Sequence, residues 1–161
     1  MRPVKKAPER NGVVLLLPWS PSANEIWRGL KGRGRPYLAP KYRQFLKEVE
    51  AYYRAQGSPK IKGTDPLRAS IWLFPPHKRS YDVDNRVKPT LDGLTRCGLW
   101  IDDRLVRRVE VSGMPPVVGG AILVRIAPFD YQDEKNRALF ALTRFPLKKK
   151  EPTTPKKETK K

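Results

Sequence analysis

The alternation of apolar and polar positions divides this chain into short strands and at least two helices. Val13 to Leu17 is a compact apolar run ended by Pro18, as expected of a buried strand. Tyr42, Phe45, Leu46, Val49 and Tyr53 recur at helical spacing, which predicts an amphipathic helix from about Lys41 to Gln56, closed by Gly57 and laid over a sheet. Leu67 to Phe74 reads as a second strand, stopped by Pro75 and Pro76. Val87, Leu91 and Leu94 form one helical stripe at i, i+4 and i+7. Asp84 or Asn85 is suited to cap that helix and Gly98 to end it. Pro89 falls about one turn inside, which predicts a late start or a slight kink. Strand patterns return around Val106 to Val111 and Ala121 to Ile126, and Gly119-Gly120 between them predicts a hairpin across a long loop. Leu139, Phe140, Leu142 and Phe145 allow a further short helix or a surface-packed segment within 127–147.

These patterns set the domain plan. At 161 residues the chain is long enough for one core and too short for two comfortable domains. Residues 1–12 are basic and aperiodic, a flexible arm; residues 13–129 hold the periodic segments and form the folded domain; residues 130–147 are a C-terminal extension. Residues 148–161, KKKEPTTPKKETKK, are a basic tail that cannot fold alone and adds sequence-independent affinity for nucleic acid.

Charge sharpens the picture. The formal net charge is +18, a field that attracts polyanions, nucleic acid first among them. Residues 1–79 carry 17 Lys and Arg against 5 acids and residues 113–161 carry 11 against 5, whereas residues 80–112 carry 6 against 6. A neutral, acid-rich island inside a basic envelope suggests a metal site facing a phosphate backbone, with a solvated acidic turn as the plain alternative. Cys97 stands alone, which excludes a disulfide framework and a Cys-rich zinc site. Neither a ~20-residue apolar run nor a signal-peptide core is visible, so the expectation is a soluble, intracellular, cytoplasmic protein with no membrane partner.

The island, YDVDNRVKPTLDGLTRCGLWIDD from Tyr81 to Asp103, carries the candidate chemistry. If Asp82 and Asp84 end a strand, their side chains leave on one face and can share one metal ion. Lys88, one turn beyond Asp84, would bring an ammonium beside them, and Asp102 and Asp103 follow Trp100-Ile101. Carboxylates from a strand end, a helix start and a later turn suffice for Mg²⁺, which retains several waters and can support phosphodiester hydrolysis. An EF-hand beginning at Asp82 fails, because Arg86 and Val87 stand where a ligand and Gly are required. The Pro- and Gly-rich stretch Trp19 to Pro40 brings Arg28, Lys31, Arg33 and Arg35 as DNA-contact candidates, joined by Lys78, Arg79 and Arg86 nearer the acids. Trp27 could stack on an exposed base, or pack on the core rim as Trp19 could. His77, the sole histidine, is a weaker candidate base or ligand than an ordinary loop side chain.

Taken together, Asp82-Val-Asp84-Asn85-Arg-Val-Lys88, Leu91-Asp92, and Gly98-Leu-Trp100-Ile-Asp102-Asp103 closely resemble the RusA family of Holliday-junction resolvases, whose pattern is D-x-D-N-x-x-K, a helix, then G-x-W-x-D-D. The opening Leu17-Pro18-Trp19-Ser20-Pro21-Ser22-Ala23-Asn24 and Gly119-Gly120 agree, so the resemblance spans about residues 13–127. It implies a small α/β (α+β) fold, a mixed β-sheet covered by helices, working as a homodimer. It further implies Mg²⁺-dependent paired nicking of four-way DNA junctions in recombination and repair, in a bacterial or phage setting, with Mn²⁺ the candidate substitute metal. By position, Asp82, Asp84 and Asp103 would be metal-binding and catalytic, Lys88 the assisting cation, and Asn85 and Asp102 supporting. A nuclease for flaps or forks, and a non-catalytic basic nucleic-acid-binding protein, remain as alternatives.

Overall fold

The computed structural model describes residues 12–29 and 35–142. The expected arm, the expected tail, and the DNA-contact candidates Lys31 and Arg33 lie outside the described residues. The chain divides into two compact units, Met1–Phe129 and Asp130–Lys161.

In the first unit, β1 (Val13–Pro18), β2 (Trp27–Arg28), β3 (Tyr37–Leu38), α1 (Pro40–Ala55), β4 (Leu67–Phe74), α2 (Val87–Cys97), β5 (Val106–Gly113) and β6 (Ala121–Pro128) follow in that order. β2 and β3 form an antiparallel ribbon of their own; the other four make a mixed sheet in the order β1-β6-β4-β5. β6 runs antiparallel to both β1 and β4, and β5 is parallel to β4.

The expected β5–β6 hairpin is therefore corrected: β4 lies between these strands. β4 buries every second side chain, with Leu67, Ala69, Ile71 and Leu73 all at 3% exposure or less. A strand so apolar gains most from neighbours on both edges. The parallel β4–β5 pair needs a long crossover, which residues 75–105 supply through α2.

Register places the core on one face of the sheet. Leu15 and Ile71 both pair with Val124, and Leu17 and Leu73 both pair with Ile122, so these side chains stack in rows across the sheet. Over them lies α1, whose buried residues are Tyr42, Phe45, Leu46, Val49 and Tyr53. α2 contributes Leu94 and a close crossing at Gly93, where a Cβ would stand 3.3 Å from Val49 Cγ1. Gln56, beyond the end of α1, blunts the free edge of β1: Leu16 N donates to its Oε1, and its Nε2 donates to Leu16 O, both at 2.8 Å.

α2 begins later than the acidic pair, as Pro89 suggested. Arg86 is its N-cap without a side-chain cap, and a separate 3₁₀ turn spans Asp84–Arg86. Neither Asp84 nor Asn85 caps α2. Pro89, third in the helix, occupies a first-turn position whose N–H would have no intrahelical partner, so its missing donor costs little there. Gly98, at φ 77°, ends the helix in the left-handed conformation that glycine adopts without strain.

The second unit contains α3 (Tyr131–Leu142), where Asp130 Oδ1 accepts from Gln132 N at 3.0 Å. Among the described residues, no helix is long and apolar enough to cross a membrane.

Candidate active site

The acids of the island occupy the two ends of the β4–α2–β5 crossover. Asp82 and Asp84 follow the C-terminal end of β4 and precede α2. They do not end a strand: Val83 between them is α-helical, at φ −63° and ψ −44°, so the chain curls into the 3₁₀ turn here. Asp102 and Asp103 follow α2 and precede β5, whose first residue, Val106, pairs with Leu67 at the opposite end of β4. The 11 residues of α2 span about 16 Å, and β4 roughly 25 Å. Accordingly, no three His, Cys, Asp or Glu side chains among the described residues are grouped closely enough to hold a metal ion. The expected gathering of Asp82, Asp84 and Asp103 in one place does not occur within one chain.

The Asp82–Asp84 end is built by the tertiary fold. Asn85 Nδ2 donates to Asp82 Oδ2 at 3.0 Å. Arg86, expected as a DNA contact, turns inward: its Nη1 donates to Ser20 O, and its guanidinium lies 5.0 Å above the Trp19 ring. Burial pulls that guanidinium down from its ordinary pKa, while the negative potentials of Glu25, Tyr81 and Asp82 oppose the shift. Ser20 Oγ and Arg86 Nε are buried without a protein partner on the two sides of this contact. Trp19 also meets Tyr81 edge to face, with ring centroids 5.2 Å apart. The Tyr81 hydroxyl donates to Leu73 O at 3.4 Å and lies 3.0 Å from where a Cβ on Gly113 would stand. Gly120, at φ 70°, leaves room for the same cluster, since a Cβ there would be 2.9 Å from both Pro76 Cδ and Trp19 Cβ.

At the other end, order is local. Asp102 accepts from Arg104 N at 2.8 Å, Nε at 2.9 Å and Nη2 at 2.7 Å, and so caps the 3₁₀ turn Asp103–Leu105. Arg104 holds the Asp102 carboxyl down at a pKa of about 2. Asp103, first in that turn, is half-buried. Lys88 extends to Asp92, with Nζ 3.1 Å from Oδ2, in an exposed i,i+4 pair. His77, Lys78 and Arg79 are exposed on the loop entering the acidic turn, and Arg28 and Arg35 are exposed near the β2–β3 ribbon.

The acids thus form two pairs, one at each end of the crossover that contains α2. The family model described as Endodeoxyribonuclease RusA matches residues 18–127. The chain belongs to the RusA family. The crossover junction endodeoxyribonuclease RusA of Enterobacteria phage 82 is 32% identical over 117 residues, covering 72% of this chain and 94% of that protein. The protein of the same name in Escherichia coli K12 is 30% identical over 116 residues, with the same coverage. The periplasmic domain of Helicobacter pylori MotB aligns at a TM-score of 0.33 and 7% identity, too weak a likeness to bear on fold or function. The match takes in both acidic pairs, the loop from Trp19 and the glycines near β6, and ends before α3.

Spacing alone did not identify the supports of the first half-site. Ser22-Ala-Asn-Glu25 is a readable capping box, in which Ser22 Oγ accepts from Asn24 N and Glu25 Oε2 from Ser22 N. It fixes the loop that carries Trp19 and Ser20. Nothing local to Tyr81, Gly113 or Gly120 announces their contact.

Proposed function

We propose that this RusA-family nuclease resolves four-way DNA junctions by paired nicks in a divalent-metal-dependent reaction, acting as a two-fold homodimer. The reading is carried by one observation: two acidic half-sites stand at opposite ends of a single crossover in an otherwise basic chain. Neither half has three carboxylates, but an isologous dimer can set the Asp82–Asp84 end of one chain against Asp103 of the partner subunit, and does so twice. Two composite sites related by a dyad match the two symmetric cuts that resolution requires.

The donors are carboxylate oxygens, with no thiol or imidazole among them, which suits Mg²⁺, with Mn²⁺ as a substitute. Asp82, Asp84 and the partner's Asp103 would hold the ion, which supplies charge neutralisation and an acidified water when bound. Asn85 fixes the Asp82 carboxylate and leaves its second oxygen free, while Arg86 anchors the turn from below. Asp102 is committed to Arg104 and orients Asp103 rather than acting as a ligand. Lys88, on the first turn of α2, can exchange Asp92 for a phosphoryl oxygen and steady the charge that develops there. Lys78, Arg79, Arg28 and Arg35 would bind the arms through their phosphates. The same features suit a cutter of flaps or forks, but only paired cutting requires a dyad.

The test is a labelled four-way junction, a flap and a linear duplex incubated with wild type and Asp82→Asn, with and without Mg²⁺. Paired symmetric nicks in the junction alone, only with metal and only by wild type, are expected. Tight binding by wild type with no cut in any substrate would overturn the reading.

A further inference from the structure

The β2–β3 ribbon presents aromatic surface that the core does not use. Trp27 is 58% exposed and Tyr37 47%. Trp27 pairs with Leu38 and Arg28 with Tyr37, so the two rings stand on opposite faces of the ribbon. Arg28 and Arg35 are exposed on the same two segments.

The root of the ribbon is firm. Ile26 and Ala39 are buried, Ala39 N donates to Ile26 O at 2.9 Å, and α1 starts directly after Ala39. Going back along the chain, the root continues through the Ser22–Glu25 capping box to Ser20, whose carbonyl receives Arg86 beside the Asp82–Asp84 turn. The exposed indole is therefore tied to the half-site by a short, hydrogen-bonded segment.

Charge alone cannot distinguish a junction from a duplex, because every arm presents the same phosphates. A branch point differs in exposing base faces that have lost a stacking neighbour. A thin ribbon with the exposed Trp27 ring on one face and Arg28 on the other fits such a base, the ring stacking on it and the cation taking a neighbouring phosphate. We propose that Trp27 stacks on an unstacked base at the branch point and thereby supplies the selectivity for branched over linear DNA. This inference rests on the junction-cutting reading above.

The test measures binding in an Asp82→Asn background, so that cutting does not intervene. The substrates are a four-way junction with 2-aminopurine at the branch and a linear duplex of matching sequence. Trp27 is largely solvent-exposed, so Trp27→Ala leaves the core intact. It is expected to lower junction affinity about tenfold, the loss of roughly one base stack, and to abolish the 2-aminopurine response. Duplex affinity should be unchanged, and Trp27→Phe should retain most of the junction preference. If the parent protein prefers the junction and Trp27→Ala keeps that preference, or loses affinity equally for both substrates, the stacking role is overturned. If the parent shows no junction preference, the junction reading falls and this inference with it.

Discussion

The two ends of the β4–α2–β5 crossover carry the same side-chain chemistry and are held in different ways. Asp82 and Asp84 sit on a turn whose neighbours Tyr81 and Arg86 are held against Trp19, Ser20 and Gly113, from two other stretches of the chain. Asp102 and Asp103 sit on a turn fixed by Arg104, two residues away from Asp102. The first end is preorganised by the whole fold, so damage to packing should reach it. The second is ordered by one local contact.

The largest effects should come from the acids themselves. Asp82→Asn, Asp84→Asn and Asp103→Asn should each reduce junction cutting by about a thousandfold or more while binding persists, the loss expected for a ligand of the proposed metal site. Normal cutting by Asp103→Asn would leave the second end without a catalytic share. Lys88→Ala should slow nicking roughly 10–100-fold with little loss of affinity, measured as single-turnover rate against junction Kd. Equal losses in both would make Lys88 a binding residue only.

Stability should separate the ends next. Gly120→Ala forces a side chain into a left-handed position and against Pro76 and Trp19, at a cost of about 2–4 kcal/mol in urea unfolding. Arg104→Ala at the other end should lower the unfolding midpoint far less, because the Asp102–Arg104 pair is local and exposed. A similar drop for both would show that the second end, too, is built by the tertiary fold. The smallest effect is the titration of Asp102, observed by NMR. Its folded pKa of about 2 lies below the ordinary 3.8, so its contribution to stability is present above the latter and is lost as pH falls through the former. Arg104→Ala should return the midpoint towards 3.8.

The elements were legible because they depend on local pattern. The five residues that spacing assigned to the inner face of α1 are its five buried ones, and β4 runs from Leu67 to Phe74 as read. Strand pairing was less legible. β5 and β6 are neighbours in sequence, yet both pair with β4, whose apolar content demands a central place. The acids were recognisable by type and spacing, but spacing does not reveal that α2 holds them apart. Arg86 read as one more surface cation because the Trp19 ring and Ser20 carbonyl that draw it inward lie far away in sequence.

Mixing two inactive proteins would show whether each site takes acids from two chains. Asp82→Asn and Asp103→Asn would be co-refolded in equal amounts and assayed on the junction. In a mixed dimer, one composite site receives both substitutions and the other receives neither. Random pairing should therefore restore about a quarter of the wild-type sites, seen as single nicks rather than paired cuts. Junction cutting no greater than that of either parent, with mixed dimers present, would mean that each site belongs to one chain and that the proposed shared site is wrong.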